Sequence, residues 1–269
     1  MYHTLNFSFL SFVPLLSLIY KKIVPEEWRF KLYKFRHPNE LAALRSKVHP
    51  SAKGDFSLAP FDEKKSIFVH ITKTAGTSVA LTLFGKLPYH YRAWQYRVIY
   101  GRRTYREYFK FAYVRNPWDR LYSAFSYLKG GGWDDNDKTW ALENLSGIEN
   151  INDFVLKWLT PERLYSHIHF WPQSDFICSK GNTALIDYLA YFETIENDFT
   201  FIAQKIGCER KLAHTNASKR AGYEEVYTPD AIAKVALLYE RDIANFGYHF
   251  SGMSRKKIEN GRFVDVVSR

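Results

Sequence analysis

The sequence predicts an α/β fold: a single domain with a central, mostly parallel sheet flanked by helices. Short apolar runs of strand length recur at Ile67–Ile71, Tyr108–Val114 and Ala184–Glu193. Segments with helix start and stop signals lie between and after them. Strands that alternate with helices favour a parallel sheet covered on both faces. A chain of 269 residues is long enough for one such domain with a sizeable core.

Residues 1–60 read as a basic, apolar N-terminal segment with a linker, 61–250 as the main domain, and 251–269 as a basic C-terminal tail. The opening "MYHTLNFSFLSFVPLLSLIY" is short for a membrane span, is interrupted by Pro14 and serines, and has no Lys or Arg before it. "KKIVPEEWRFKLYKFR" adds the basic and aromatic residues that suit an anionic lipid surface, so peripheral membrane contact and an ordinary packed helix both stay open. With no clear signal or anchor, the expected location is the cytoplasm, with the membrane surface as a candidate site within it. "HPSAKGDFSLAPFD" (His49–Asp62) reads as the linker.

Within the main domain, Ile67–Ile71 is the first expected strand, and Thr77–Phe84 begins a helix with hydroxyl residues at its N-terminus. Tyr108–Val114 alternates as a second strand, and a helix follows with Pro117 in its first turn. "GGGWDDND" (Gly130–Asp137) ends that helix in a loop. Ala184–Glu193 is the third expected strand, and Glu196–Ile206 is helical. Thr228–Gly247 reads as one helix, capped by Thr228, started by Pro229 and stopped by Gly247. Its apolar face is Ile232, Val235, Ala236, Tyr239 and Ile243.

The formal net charge is +10. Residues 86–120 hold nine Lys/Arg against two Asp/Glu, a local concentration that suits an anionic ligand. Cys178 and Cys208 provide no disulfide framework and no zinc spacing, so both are expected to be reduced packing residues.

Two elements carry the chemistry. After the first strand, "TKTAGTS" (Thr72, Lys73, Thr74, Ala75, Gly76, Thr77, Ser78) turns the chain with small residues. Backbone N–H groups there can approach an anion, the next helix adds its positive end, and Lys73 can reach over the bound group. The order is unlike that of a nucleotide-binding P-loop, because the lysine precedes the glycine. In "FAYVRNPWDRLYSAF", Arg115 ends a strand, and Ser123 lies on the following helix away from the stripe of Trp118, Leu121, Tyr122, Phe125 and Leu128. An Arg fork and a hydroxyl converging there can hold a phosphate. The plainer alternative pairs Arg115 with Asp119 and leaves Ser123 exposed.

Together, K-T-x-G-T-S after a strand and V-R-N-P-W-D-R-L-x-S-A after the next resemble the sulfotransferases that use 3′-phosphoadenosine 5′-phosphosulfate (PAPS). The resemblance is closest to the carbohydrate sulfotransferase, family 2 branch of bacteria and the Golgi. It extends through "HFWPQSDFI", "YFETIENDF", "HTNASKRAGYEEVYTP" and "LYERDIANFGY", so it covers roughly Phe61 to Phe250. The resemblance implies a P-loop-NTPase-like fold, PAPS as co-substrate with no metal, and a carbohydrate or other hydroxyl-bearing acceptor. It implies that Thr72–Ser78 binds the 5′-phosphosulfate, with Lys73 on the leaving phosphate and sulfuryl group. Arg115 and Ser123 would hold the 3′-phosphate, and Lys219 and Arg220 in "NASKR" would cover the nucleotide. Thr72 departs from the family pattern, which more usually has proline.

Transfer to a hydroxyl needs a general base. His90, between the two phosphate elements, is the first choice, and His167 and His169 are the runners-up. Trp94, Tyr96 and Trp133 either stack on sugar rings or pack in the core. Two rival functions remain. A P-loop kinase would want GxxxxGK[ST] and a strand-end Asp, for which Asp187 is a thin substitute. A non-catalytic module could bind polyanions or membrane through the basic termini, although no nucleic-acid motif is present.

Overall fold

The computed structural model describes residues 26–46, 55–212 and 222–266. The expectations for residues 1–24 and for Lys219 and Arg220 therefore lie outside the described residues. The chain divides after Ser46 into two units. In the first, helices Glu26–Arg36 and Pro38–Ser46 follow one another, and the Tyr33 hydroxyl donates to Glu40 at 2.5 Å.

The second unit is built on three parallel strands in the order β1 (Ser66–Phe68), β2 (Phe109–Val114), β3 (Tyr188–Tyr191). Ile67 is in register with Lys110, and Ala112 with Leu189. The described sheet is thus parallel throughout, as the alternation of strands and helices requires. Its strands are shorter than the apolar runs suggest. The first stops ladder pairing just after Phe68, with only the Val69 amide reaching on to Phe111 O, because the chain must turn into the loop at Thr72.

Between β1 and β2 lie α1 (Gly76–Phe84) and α2 (Ala93–Glu107), the latter broken at Gly101 with φ 77° and ψ 167°. After β2 come α3 (Pro117–Lys129) and α4 (Asp135–Leu145). Asn116 caps α3 by accepting the Trp118 amide, and Pro117 takes the first position, where a missing N–H costs nothing. Then follow α5 (Ile195–Lys205), α6 (Pro229–Leu238) and α7 (Glu240–Phe246).

The expected single helix over Thr228–Gly247 is therefore two. It breaks at Tyr239, where φ is −114° and ψ 22°. The Tyr239 hydroxyl donates to Phe170 O at 2.7 Å, and the new direction lets buried Asp242 accept the amides of Gln173 and Ser174. Tertiary hydrogen bonds thus override a continuous helical period. Thr228 does not cap its helix with its side chain; it bonds Asn152 instead.

The apolar stripe of α3 (Trp118, Leu121, Phe125, Leu128) packs with Phe154, Phe170, Val235 and Tyr239 in one buried cluster. Leu58 and Phe61, in the expected linker, are buried beside the short helix Ala59–Glu63. The expected C-terminal tail forms a hairpin, Lys256–Glu259 with Arg262–Asp265, and Arg255 bridges to buried Asp198 at 2.7 Å. Cys178 and Cys208 are free thiols, and burial pushes Cys178 up to about 12.

Candidate active site

The loop after β1 adopts a conformation its residues do not prefer. Lys73 (φ 66°) and Ala75 (φ 60°) both sit in the left-handed region, where a side chain costs about 1–2 kcal/mol. Alternation of this kind curves the backbone so that amides face a common point. Thr74 is fully buried and closes the turn by donating to Ile71 O at 2.9 Å, so its hydroxyl is part of the scaffold. Thr77 is exposed and Ser78 buried on the first turn of α1. Gly76 has a different reason to be glycine: a Cβ there would lie 1.9 Å from the His70 ring.

Arg115 reaches this loop. Its Nη1 donates to Lys73 O at 3.1 Å, which joins the two sequence elements directly. Nε and Nη2 contact Asp119 Oδ2 at 2.7 and 2.6 Å, and the guanidinium lies 4.0 Å from the centre of the Phe192 ring. The Asp119 pair and the approach to the loop are thus both present, and the ion pair holds the guanidinium in place. Ser123 is half-buried, eight residues along on α3.

Sequence reasoning missed the residues that lock this arrangement. Arg120, 1% exposed, donates through Nε to Thr72 O at 2.9 Å, through Nη1 to Trp171 O at 3.0 Å, and through Nη2 to the Thr72 hydroxyl at 3.1 Å. The departure at Thr72 therefore has a use, since proline has no hydroxyl to accept that bond. Gln173 pairs with Arg115 like a strand neighbour: its Oε1 accepts the Arg115 amide at 2.9 Å and its Nε2 donates to Arg115 O at 2.8 Å. Nothing local marks Arg120 or Gln173, because their partners are distant in sequence.

On the other side of Lys73 lies an imidazole and aromatic cluster. Lys73 Nζ sits 3.7 Å from the centre of the Tyr127 ring, and His169 packs edge-on against that ring at 5.0 Å. The His90 and His70 ring centres are 4.3 Å apart, and His90 Nδ1 lies 2.9 Å from His70 O. A carbonyl only accepts, so Nδ1 carries the proton and Nε2 keeps its lone pair. Desolvation lowers the His90 pKa from the ordinary 6.5, with Arg120 adding to the shift and the His70 carbonyl and Asp137 opposing it.

His167 differs. Its Nδ1 accepts the His169 amide at 3.3 Å, and its Nε2 faces Asp137 Oδ1 at 3.2 Å, so both ring nitrogens are committed. His169 Nδ1 is buried with no hydrogen-bond partner among the described residues. Burial holds this imidazole well below its usual value, and His167, Lys73, His90 and Arg120 add to the effect. The structure thus gathers Lys73, Arg115 and three of the histidines around one loop. Asp187, the kinase reading's metal ligand, precedes β3 and pairs with Lys110 at 2.8 Å. Because the strands are parallel, that places it at the end of the sheet opposite the loop after β1.

The model of the sulfotransferase family matches residues 59–249. The chain belongs to that family. The chain is 27% identical over 172 residues to carbohydrate sulfotransferase 10 of Xenopus laevis, a match that covers 52% of this chain and 47% of that protein. It is also 27% identical over 120 residues to an uncharacterized protein of Archaeoglobus fulgidus, covering 45% of this chain and 85% of that one. No solved structure matches. The match thus spans about half the length of the Xenopus relative. Family membership agrees with the parallel sheet. No helix among the described residues is long and apolar enough to cross a membrane.

Proposed function

We propose that this sulfotransferase moves a sulfuryl group from PAPS to a hydroxyl of a carbohydrate acceptor. The observation that carries the proposal is the Arg115–Lys73 O hydrogen bond at 3.1 Å. One nucleotide with phosphates at both its 3′ and 5′ positions needs a cationic fork beside the amide loop, and that bond puts the fork there. Bound PAPS supplies the sulfuryl group and departs as 3′,5′-adenosine bisphosphate. Thr72–Ser78 cradle the 5′ side, Lys73 neutralises charge on the departing phosphate, and Arg115 and Ser123 hold the 3′-phosphate. The family resemblance also assigns Lys219 and Arg220 to the nucleotide. The similarity to carbohydrate sulfotransferase 10 supports a sugar acceptor.

His90 is the general base. Its Nε2 takes the acceptor hydroxyl proton as the oxygen bonds to sulfur and the sulfur–oxygen bond to the 5′-phosphate breaks. A neutral imidazole is required for this, and the lowered pKa supplies one at neutral pH. In line with this, the acid limb of the rate should fall below pH 6.5.

Thermal stability with 3′,5′-adenosine bisphosphate in EDTA, against ATP with Mg²⁺, tests the donor site. At about 100 times its dissociation constant the bisphosphate should add about 2.7 kcal/mol, and Arg115→Ala should lose that gain. His90→Ala should keep the gain but lose turnover. Stabilisation by ATP with Mg²⁺ alone would replace this reading with the kinase one. Near-normal turnover in His90→Ala would remove that residue's role.

A further inference from the structure

Most of the seven tryptophans are buried or half-buried, but Trp28 and Trp133 are exposed, and Trp133 lies in the sulfotransferase domain with 75% of its surface open. An indole that open on a slack loop would mean little. Trp133 is instead held from behind. Its backbone N–H donates to Asp137 Oδ2 at 2.9 Å, and Asp137 is buried. The same carboxylate accepts the Tyr127 hydroxyl at 2.9 Å and faces His167 Nε2 at 3.2 Å. Tyr127 in turn carries Lys73 Nζ on its ring. Three successive contacts therefore tie the backbone under the exposed indole to the lysine of the phosphosulfate loop.

The loop is built for this approach. Gly132 has φ 67°, and a Cβ there would meet the Asp137 Cβ at 2.1 Å, so no other residue lets the chain pass so close to the carboxylate. Asp134 caps α4 by accepting the amides of Asn136 and Asp137, which fixes the other side of the turn. The next three residues, Asp134, Asp135 and Asn136, are polar and exposed as well. A ligand that fits such a place has one apolar face for stacking and hydrogen-bonding groups around its edge. A pyranose ring has both.

We infer that Trp133 is a stacking platform for a sugar ring of the acceptor, held in register with Lys73 by Asp137 and Tyr127. This rests on the sulfotransferase reading above and extends it to a specificity-determining residue.

The test uses the full chain, radiolabelled PAPS, and three unsulfated glycans (hyaluronan, dextran and N-acetyllactosamine) beside p-nitrophenol. For any glycan the wild type sulfates, Trp133→Ala should raise KM about fivefold to tenfold with kcat within about twofold, and Trp133→Phe should restore most of the difference. Because the indole is exposed, Tm without ligand should not move. Stabilisation by 3′,5′-adenosine bisphosphate in EDTA should be the same in all three proteins. An unchanged KM in Trp133→Ala overturns the inference. So does an equal loss of bisphosphate stabilisation, which would assign the platform to the nucleotide. A wild type that sulfates p-nitrophenol or nothing, and no glycan, also overturns it. Failure of the bisphosphate to stabilise the wild type would instead bring down the donor-site reading, and the inference with it.

Discussion

The arginine side and the histidine side of the loop after β1 are built on opposite plans. On the arginine side the polar groups are engaged several times over. Arg120 makes three hydrogen bonds, Gln173 pairs with both backbone groups of Arg115, and Asp242 accepts two amides behind them. On the histidine side, His70 and His169 each bury an Nδ1 that no described residue satisfies, and His90 keeps a lone pair on Nε2. Fixed, saturated dipoles suit the binding of a large static charge, because nothing must reorganise when the anion arrives. Imidazoles left dry and uncompensated stay neutral, which a base needs. The boundary between the two plans is Gly76, where the His70 ring presses on the start of α1.

Three changes would break or sharpen that contrast. The largest effect should come from Arg120→Ala, which strands two carbonyls in a dry site and leaves the Thr72 hydroxyl only its bond to Ile168 O. It should cost about 3–5 kcal/mol in urea unfolding. A loss below about 1 kcal/mol would mean that the saturated network does not hold the loop. Next is Gly76→Ala, which forces the His70 ring aside. We expect about 1–3 kcal/mol of destabilisation together with loss of bisphosphate binding, read by thermal shift. Wild-type behaviour would show that the two sides do not meet at Gly76.

The smallest effect is the pH dependence of stability. His70, His90, His167 and His169 all have pKa values lowered from 6.5, chiefly by desolvation. The unfolded chain therefore binds protons that the folded one refuses. Stability is fully present above about pH 6.5 and declines as pH falls below it, toward the folded values. From buried His70 alone the decline should be about 1 kcal/mol between pH 6.5 and 5.5, with further additions from the other three rings. Urea melts at these two pH values check it. Equal stability at both would mean that the imidazoles are not held dry.

Much of the fold could be read from the chain because its signals are local. Pro117 after Asn116, Gly85 after α1 and Gly247 after α7 mark helix ends through backbone preferences that need no distant partner. The strand cores at Ile67, Phe111 and Leu189 were legible as apolar runs, whereas their ends were not, since a run of apolar residues does not say where ladder pairing stops. The helix over Thr228–Gly247 shows the same limit. Its period passes unbroken through Tyr239, while the bond Tyr239 donates to Phe170 O and the two that Asp242 accepts from Gln173 and Ser174 bend the chain.

The sequence by itself determined the loop from Thr72 to Ser78 and the strand-end Arg115, because spacing along a strand, turn and helix is a local property. Only the tertiary structure decided that Arg115 reaches the Lys73 carbonyl, that Arg120 and Gln173 hold the pair, and that His167 is spent on Asp137 while His90 is not. Those outcomes depend on partners 30 to 58 residues away or on which atom of a ring faces a carbonyl. Local spacing carries no information about either.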